Sequence, residues 1–143
     1  MYHEYYNGPF VISTAPSRLN FEAICGFLSR SYWANSRPKE VIAHSIEHSL
    51  NFGVYDGQEQ VGYARVITDY ATFVYLCDVY IHEAYRGHGL GKWLVEVVTN
   101  YPELQPLRRW ILATRDAHEL YRKGGFSELA APEKWMEIFR NGS

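Results

Sequence analysis

The run Phe10-Val-Ile-Ser-Thr14 is short, apolar and partly β-branched, and it predicts a strand. The spacing then changes. Phe21, Ile24, Cys25, Leu28 and Tyr32 fall at i, i+3, i+4, i+7 and i+11, one stripe of an amphipathic helix. Pro38 breaks that stripe and suits the first turn of a second helix, through Val41, Ile42, Ser45 and Ile46 to about Ser49. Asn51–Tyr55, Val61–Thr68 and Thr72–Ile81 are rich in β-branched and aromatic residues. With Asp56-Gly57 and Asp69-Tyr70 between them, they predict an antiparallel meander.

Helical spacing returns at Leu90, Trp93, Leu94, Val97, Val98 and Tyr101, with Pro102 just past the end. Arg109–Thr114 is a compact apolar strand. Asp116 caps a short helix, Ala117 to Lys123, stopped by Gly124-Gly125, and Phe126–Leu129 and Lys134–Phe139 are two further strand candidates. The predicted order is β-α-α-β-β-β-α-β-α-β-β. This is a mixed α/β (α+β) layer: a mostly antiparallel mixed sheet of about six to seven strands flanked by about four helices.

Composition narrows what such a layer does. A chain of 143 residues with 47% hydrophobic and 21% charged residues suits one globular domain, here residues 1–143. A net charge of -2 argues against an electrostatic nucleic-acid binder. The N-terminal residues show no basic and apolar signal pattern, and no apolar run reaches membrane-span length, so a soluble cytoplasmic protein is expected, with no membrane partner. Cys25 and Cys77 lack metal-type spacing, and the six His form no ligand motif, so no metal is expected. Between Arg86 and Lys123 basic residues outnumber acidic ones, which would suit an anionic ligand.

The most specific feature is Val79-Tyr-Ile-His-Glu-Ala-Tyr-Arg-Gly-His-Gly-Leu-Gly-Lys92, a strand running through a glycine loop into a helix. The first N–H groups of a helix lack internal partners and carry partial positive charge, and glycines let an anion approach them. A phosphate or pyrophosphate is the natural guest. The Walker A spacing fails, because Gly87 to Gly91 is too short and Trp93 follows Lys92. The Rossmann fingerprint fails too, since the chain reads G-x-G-x-G and does so late. A glycine turn with no ligand is the plain alternative.

The pattern that fits is Arg86-Gly-His-Gly-Leu-Gly91, Arg-x-x-Gly-x-Gly. Through it the chain resembles the GNAT superfamily of acetyl-CoA-dependent N-acetyltransferases. Ala117-His-Glu-Leu-Tyr-Arg-Lys-Gly-Gly-Phe126 resembles that family's second motif, and the element order matches from about residue 10 to 139. Two departures stand out: Glu83 where many members have Pro, and Thr114 near a position that is often Asn.

The resemblance implies roles. Backbone amides over Gly87, His88, Gly89, Leu90, Gly91 and Lys92, with Arg86, would hold the pyrophosphate of acetyl-CoA. The main chain of Val79 and Ile81 would pair with the pantetheine arm as an added strand would. Arg122, with Lys123, would meet the 3′-phosphate. The implied reaction is direct attack of a small-molecule primary amine on the thioester in a ternary complex. Cys77, near the implied cleft, keeps a covalent variant open.

By spacing alone Tyr121 is a core residue behind Leu120; the resemblance makes it the general acid to the leaving thiolate. Asp78 is the first candidate for the proton relay, ahead of His44, His48 and Tyr75. The loop Tyr32–Arg37 and the turn Asp69-Tyr70 would close the acceptor site, with Tyr32, Trp33, Arg37 and Tyr70 as contacts and Arg37 pairing a substrate carboxylate. A non-catalytic acyl-CoA sensor is the alternative. A homodimer through Trp135 and the last strand candidate is left open.

Overall fold

The computed structural model describes residues 1–141. Its sheet has six strands in the spatial order β1-β2-β3-β4-β5-β6, all neighbours antiparallel except β5 and β6. The strands are β1 (Glu4–Asn7), β2 (Phe10–Ser13), β3 (Leu50–Asp56), β4 (Glu59–Thr68), β5 (Phe73–Ile81) and β6 (Arg109–Ile111). The helices are α1 (Phe21–Ser29), α2 (Lys39–Glu47), α3 (Leu90–Thr99) and α4 (His118–Lys123), with short 3-10 turns between elements. The mixed α+β class and the helix stripes agree with the sequence reading, except that α1 ends at Ser29 and leaves Tyr32 exposed beyond it, and α4 takes no side-chain cap from Asp116.

Each face of the sheet carries its own core. Leu90, Leu94, Val97 and Val98 of α3 bury against Val54, Val66, Val74 and Leu76. On the other face Ile24, Phe27 and Leu28 of α1 pack with Ile42 of α2 on Tyr63 and Tyr80. Asn20 opens α1 by accepting a hydrogen bond from the Ala23 amide at 3.0 Å, so the helix starts where its apolar stripe starts.

Two expectations need correction. A strand stands before Phe10: β1 pairs with β2 across Gly8-Pro9, with Gly8 at φ +57. Gly at the first of two turn positions is a hairpin signal in its own right. At the other end, Phe126–Leu129 and Lys134–Phe139 join no ladder among the described residues. Phe126 instead packs edge-on to Trp110 and Tyr121, and Pro132–Lys134 forms a 3-10 turn. Apolar alternation makes a segment able to pair but supplies no partner.

Candidate active site

The site begins where two strands part. β5 and β6 pair over only three residues, Phe73↔Arg109, Val74↔Trp110 and Tyr75↔Ile111. On its other side β5 stays paired with β4 as far as Gly62↔Ile81. From Leu76 to Ile81, therefore, the β6-side edge of β5 has no strand beside it among the described residues, and a cleft of about 980 Å³ opens there.

A bulge re-aims the middle of that edge. Asp78 has φ +51, and the β4–β5 register shifts opposite it, between Tyr63 and Arg65. Before the bulge Val74 and Leu76 point to the α3 core; after it Val79 and Ile81 do, while Tyr80 turns to the α1 side. One extra residue has reversed the alternation.

Asp78 is held in that conformation from three directions. Its Oδ1 accepts from the indole N–H of Trp33 at 2.8 Å, and its Oδ2 from Arg37 and Arg65, each at 2.9 Å. Its side chain is 2% exposed. Asp78 lines the cleft, but its oxygens already accept from two guanidinium groups and an indole N–H, partners that favour a structural anchor over a proton relay. Arg37 is paired with that same carboxylate and lies outside the cleft lining, not at the expected acceptor contact.

Beyond Ile81 the chain makes a 3-10 turn, Glu83–Tyr85, in which Nδ1 of His82 accepts the Ala84 amide at 3.0 Å. Arg30 at the end of α1 grips Glu83 through two N–H groups at 2.8 and 3.1 Å, tying the loop to the opposite helix. Glu83 thus has a local partner in place of the expected Pro. Gly87 and Gly89 follow at φ +89 and +75, a region other residues enter only at a cost. Gly89 is also the N-cap of α3 and carries no side chain to cap it, so the first helical amides are left to a ligand.

The lining brings together Val79, Ile81, Arg86, Gly87, Gly89, Leu90, Gly91, Tyr32, Trp33, Cys77, Thr114 and Tyr121. Four named residues stand apart. His88 turns toward Phe10, its ring 6.5 Å away, and the Lys92 side chain is exposed outside the lining. Arg122 is occupied by Glu119 and Glu128 on the far side of α4. Tyr70 sits in the β4–β5 turn, at the opposite end of β5 from the glycine loop.

Three contacts were not foreseen. Arg65 reaches Asp78 across the β4–β5 pair; opposite charges on facing strands are a readable signal once the register is known. Thr114 Oγ accepts the Ala117 amide at 3.0 Å and so holds the turn into α4. Arg115, after β6, donates its backbone N–H to the Tyr32 hydroxyl at 3.1 Å and lays its guanidinium 3.7 Å from that ring's centroid. This clasp spans the cleft between the α1–α2 loop and the β6–α4 loop.

The pattern described as the acetyltransferase (GNAT) domain matches residues 47–128, more than half of the chain. The chain belongs to the GNAT acetyltransferase family. A Gibberella zeae protein assigned as an acetyltransferase is 33% identical over 137 residues, covering 81% of this chain and 77% of that one. A GNAT-family structure from Xanthomonas campestris pv. campestris is 42% identical, with a TM-score of 0.88 over 92% of this chain and 93% of that chain. Glucosamine-6-phosphate N-acetyltransferase from Arabidopsis thaliana, 15% identical with a TM-score of 0.66 over 94% and 99% of the two chains, shares the fold.

Burial sets the protonation states in this GNAT cleft. It pushes the Tyr121 hydroxyl up to about 12 and the Cys77 thiol up to about 11. Burial also acts to raise Asp78, but Arg65 and then Arg37 more than offset it and hold the carboxyl below its usual value. Glu83 falls to about 2, first through its hydrogen bonds from Arg30 and then through that from Tyr80. Asp78 and Glu83 are thus charged near neutral pH, and Cys77 and Tyr121 are neutral.

Proposed function

We propose that this acetyltransferase moves an acetyl group from acetyl-CoA to the primary amine of a small molecule, by direct attack within a ternary complex. The observation that carries the reading is one cleft in which the open β5 edge, the Gly87–Gly91 loop and Tyr121 meet. The residues present fit such a donor. Leu76–Ile81 offers backbone groups with no strand on that side. At Gly87 and Gly89 the site of a Cβ is empty, and at Gly91 it would touch only Ile81 and Leu120, both at 3.9 Å. The amides of Leu90, Gly91 and Lys92 would hold the pyrophosphate, and the main chain of Val79 and Ile81 the pantetheine arm.

Bound there, acetyl-CoA supplies an activated acyl group and a thiol leaving group. The Ile81 region orients the thioester and donates hydrogen bonds toward the carbonyl oxygen. Tyr121 stays protonated near neutral pH and can pass its proton to the departing sulfur. The raised pKa of Cys77 disfavours a thiolate nucleophile, which supports direct attack.

Asp78 and Glu83 are both held below the usual carboxylate range, so neither accepts a proton near pH 7. Water, before or within the cleft, is then our reading of what takes the amine's proton. The Tyr32–Arg115 clasp narrows the acceptor mouth and supports a small amine, since a folded protein's lysine would have to displace it. Two free cysteines suit a reducing cytoplasm.

The test is thiol release against a panel of amines, with calorimetric titration of acetyl-CoA, for the parent protein and Tyr121→Phe. The variant should lose roughly 10²–10⁴ in kcat with little change in cofactor affinity. Binding with no release from any amine would replace this reading by an acyl-CoA sensor. No binding at all would overturn the assignment of the glycine loop.

A further inference from the structure

Four guanidinium groups, those of Arg30, Arg37, Arg65 and Arg115, stand around the α1–α2 side of the cleft, and three carboxylates, Asp78, Glu83 and Asp116, face them. Arg30 gives two N–H groups to Glu83, while Arg37 and Arg65 share one oxygen of Asp78. Arg86, just before the glycine loop, donates its Nε–H to the Ile81 carbonyl at 3.0 Å. Arg115 differs. Its charged partner among the described residues is Asp116, through one contact at 3.5 Å, and the two side chains are 64% and 65% exposed. Water screens such a pair, so it holds the guanidinium weakly.

The Arg115 side chain is nevertheless positioned. It lies 3.7 Å from the centroid of the Tyr32 ring, whose hydroxyl accepts the Arg115 backbone N–H at 3.1 Å. Stacking on an aromatic face orients the guanidinium plane and leaves the N–H groups along its edge able to donate. Tyr32 meets Trp33 edge to face at 5.1 Å, and Asp78 fixes the Trp33 indole. Both rings line the cleft, so an apolar wall stands beside an uncommitted fork of donors. Burial first, then Tyr32 and Asp116, push the Tyr121 phenol up, which puts this corner beside the residue assigned to protonate the leaving group.

We propose that Arg115, stacked on Tyr32, receives the carboxylate of the acceptor, so that the amine acetylated is that of an amino acid whose apolar or aromatic side chain lies against Tyr32 and Trp33. A guanidinium fork and a carboxylate match through two parallel hydrogen bonds. A single fork suits a carboxylate better than a phosphate monoester, which carries nearly twice the charge. Polyamines are disfavoured, because positive charge is in surplus here and each of the three carboxylates already faces an arginine. Arg115 thus takes the role expected of Arg37, whose guanidinium Asp78 occupies. As a statement about the acceptor, this rests on the acyl-transfer reading.

The test is calorimetric titration of matched amines into the protein saturated with coenzyme A, for the parent and Arg115→Gln. The pairs are L-phenylalanine with phenethylamine and L-leucine with isoamylamine, each differing by the carboxylate alone; O-phosphoethanolamine and spermidine complete the set. The substituted side chain is 64% exposed, so the circular dichroism should not change. The amino acids should bind about tenfold tighter than their decarboxylated partners, and Arg115→Gln should erase that preference with coenzyme A affinity unaltered. Equal affinity within each pair would overturn the proposal, as would a preference that survives Arg115→Gln or a variant that loses coenzyme A. Tighter binding of O-phosphoethanolamine or spermidine than of the amino acids would overturn it too. Thiol release from acetyl-CoA is measured separately: a carboxylate preference that depends on Arg115, without release, would sink the acyl-transfer reading and leave Arg115 as the receptor of an amino acid.

Discussion

Replacing Asp78 by Asn removes one negative charge from the centre of the fold and little else. Asn has the same shape and tolerates the left-handed φ of +51, so the backbone is spared. What is lost is the counter-charge to Arg37 and Arg65, whose side chains are 17% and 11% exposed. Stranding buried guanidinium groups by removing their partner costs about 3–5 kcal/mol. That lies well above the worth of an exposed pair such as Lys39–Glu22, which solvent screens.

In a domain of this size the loss should lower the melting temperature by about 10–20 °C. The assay is urea unfolding, where the midpoint should fall while the slope stays constant. The pH dependence follows from the sign of the shift. The folded pKa of Asp78 is below its unfolded value, so its stabilisation is present above the unfolded value and disappears as pH falls through the folded one. The gap between parent and variant should accordingly narrow on acidification below about pH 4. A loss under about 1 kcal/mol at pH 7 would refute the reasoning and mean that water reaches the three side chains freely.

Gly89→Ala should cost about 1–2 kcal/mol, because an Ala at φ +75 is strained even though nothing stands within 4 Å of its Cβ. Acetyl-CoA binding should weaken with it, and calorimetry showing unchanged affinity and melting temperature would contradict the role given to this turn. For turnover, kcat/KM should rise with pH as the free amine accumulates and show no falling limb up to about pH 10. Tyr121, at about 12, remains protonated through that range, and a rate that falls above pH 8 would assign the proton donor elsewhere.

The helices were legible because each needs only its own periodicity. The stripes from Phe21 and from Leu90 start where the structure starts α1 and α3, since burying one face decides the register of a helix. The glycine loop was legible for a related reason: its special backbone angles are local, and glycine is the residue that supplies them. β1 was written in the turn Gly8-Pro9 and overlooked. The segments Phe126–Leu129 and Lys134–Phe139 were read from alternation as strands, yet pairing takes a partner at the right distance.

The sequence by itself determined the α+β layering, the strand–glycine loop–helix unit and the placing of Tyr121 in a short helix bounded by Gly124-Gly125. Tertiary structure decided what could not be local. The parting of β5 from β6 after Tyr75 makes the cleft, and the bulge at Asp78 chooses which residues face it. Arg37, Arg65 and Trp33 reach that carboxylate across separations of 41, 13 and 45 residues. An aspartate's chemistry depends on what surrounds it: alone it is a candidate base, and enclosed by two guanidinium groups it becomes the anchor of the site.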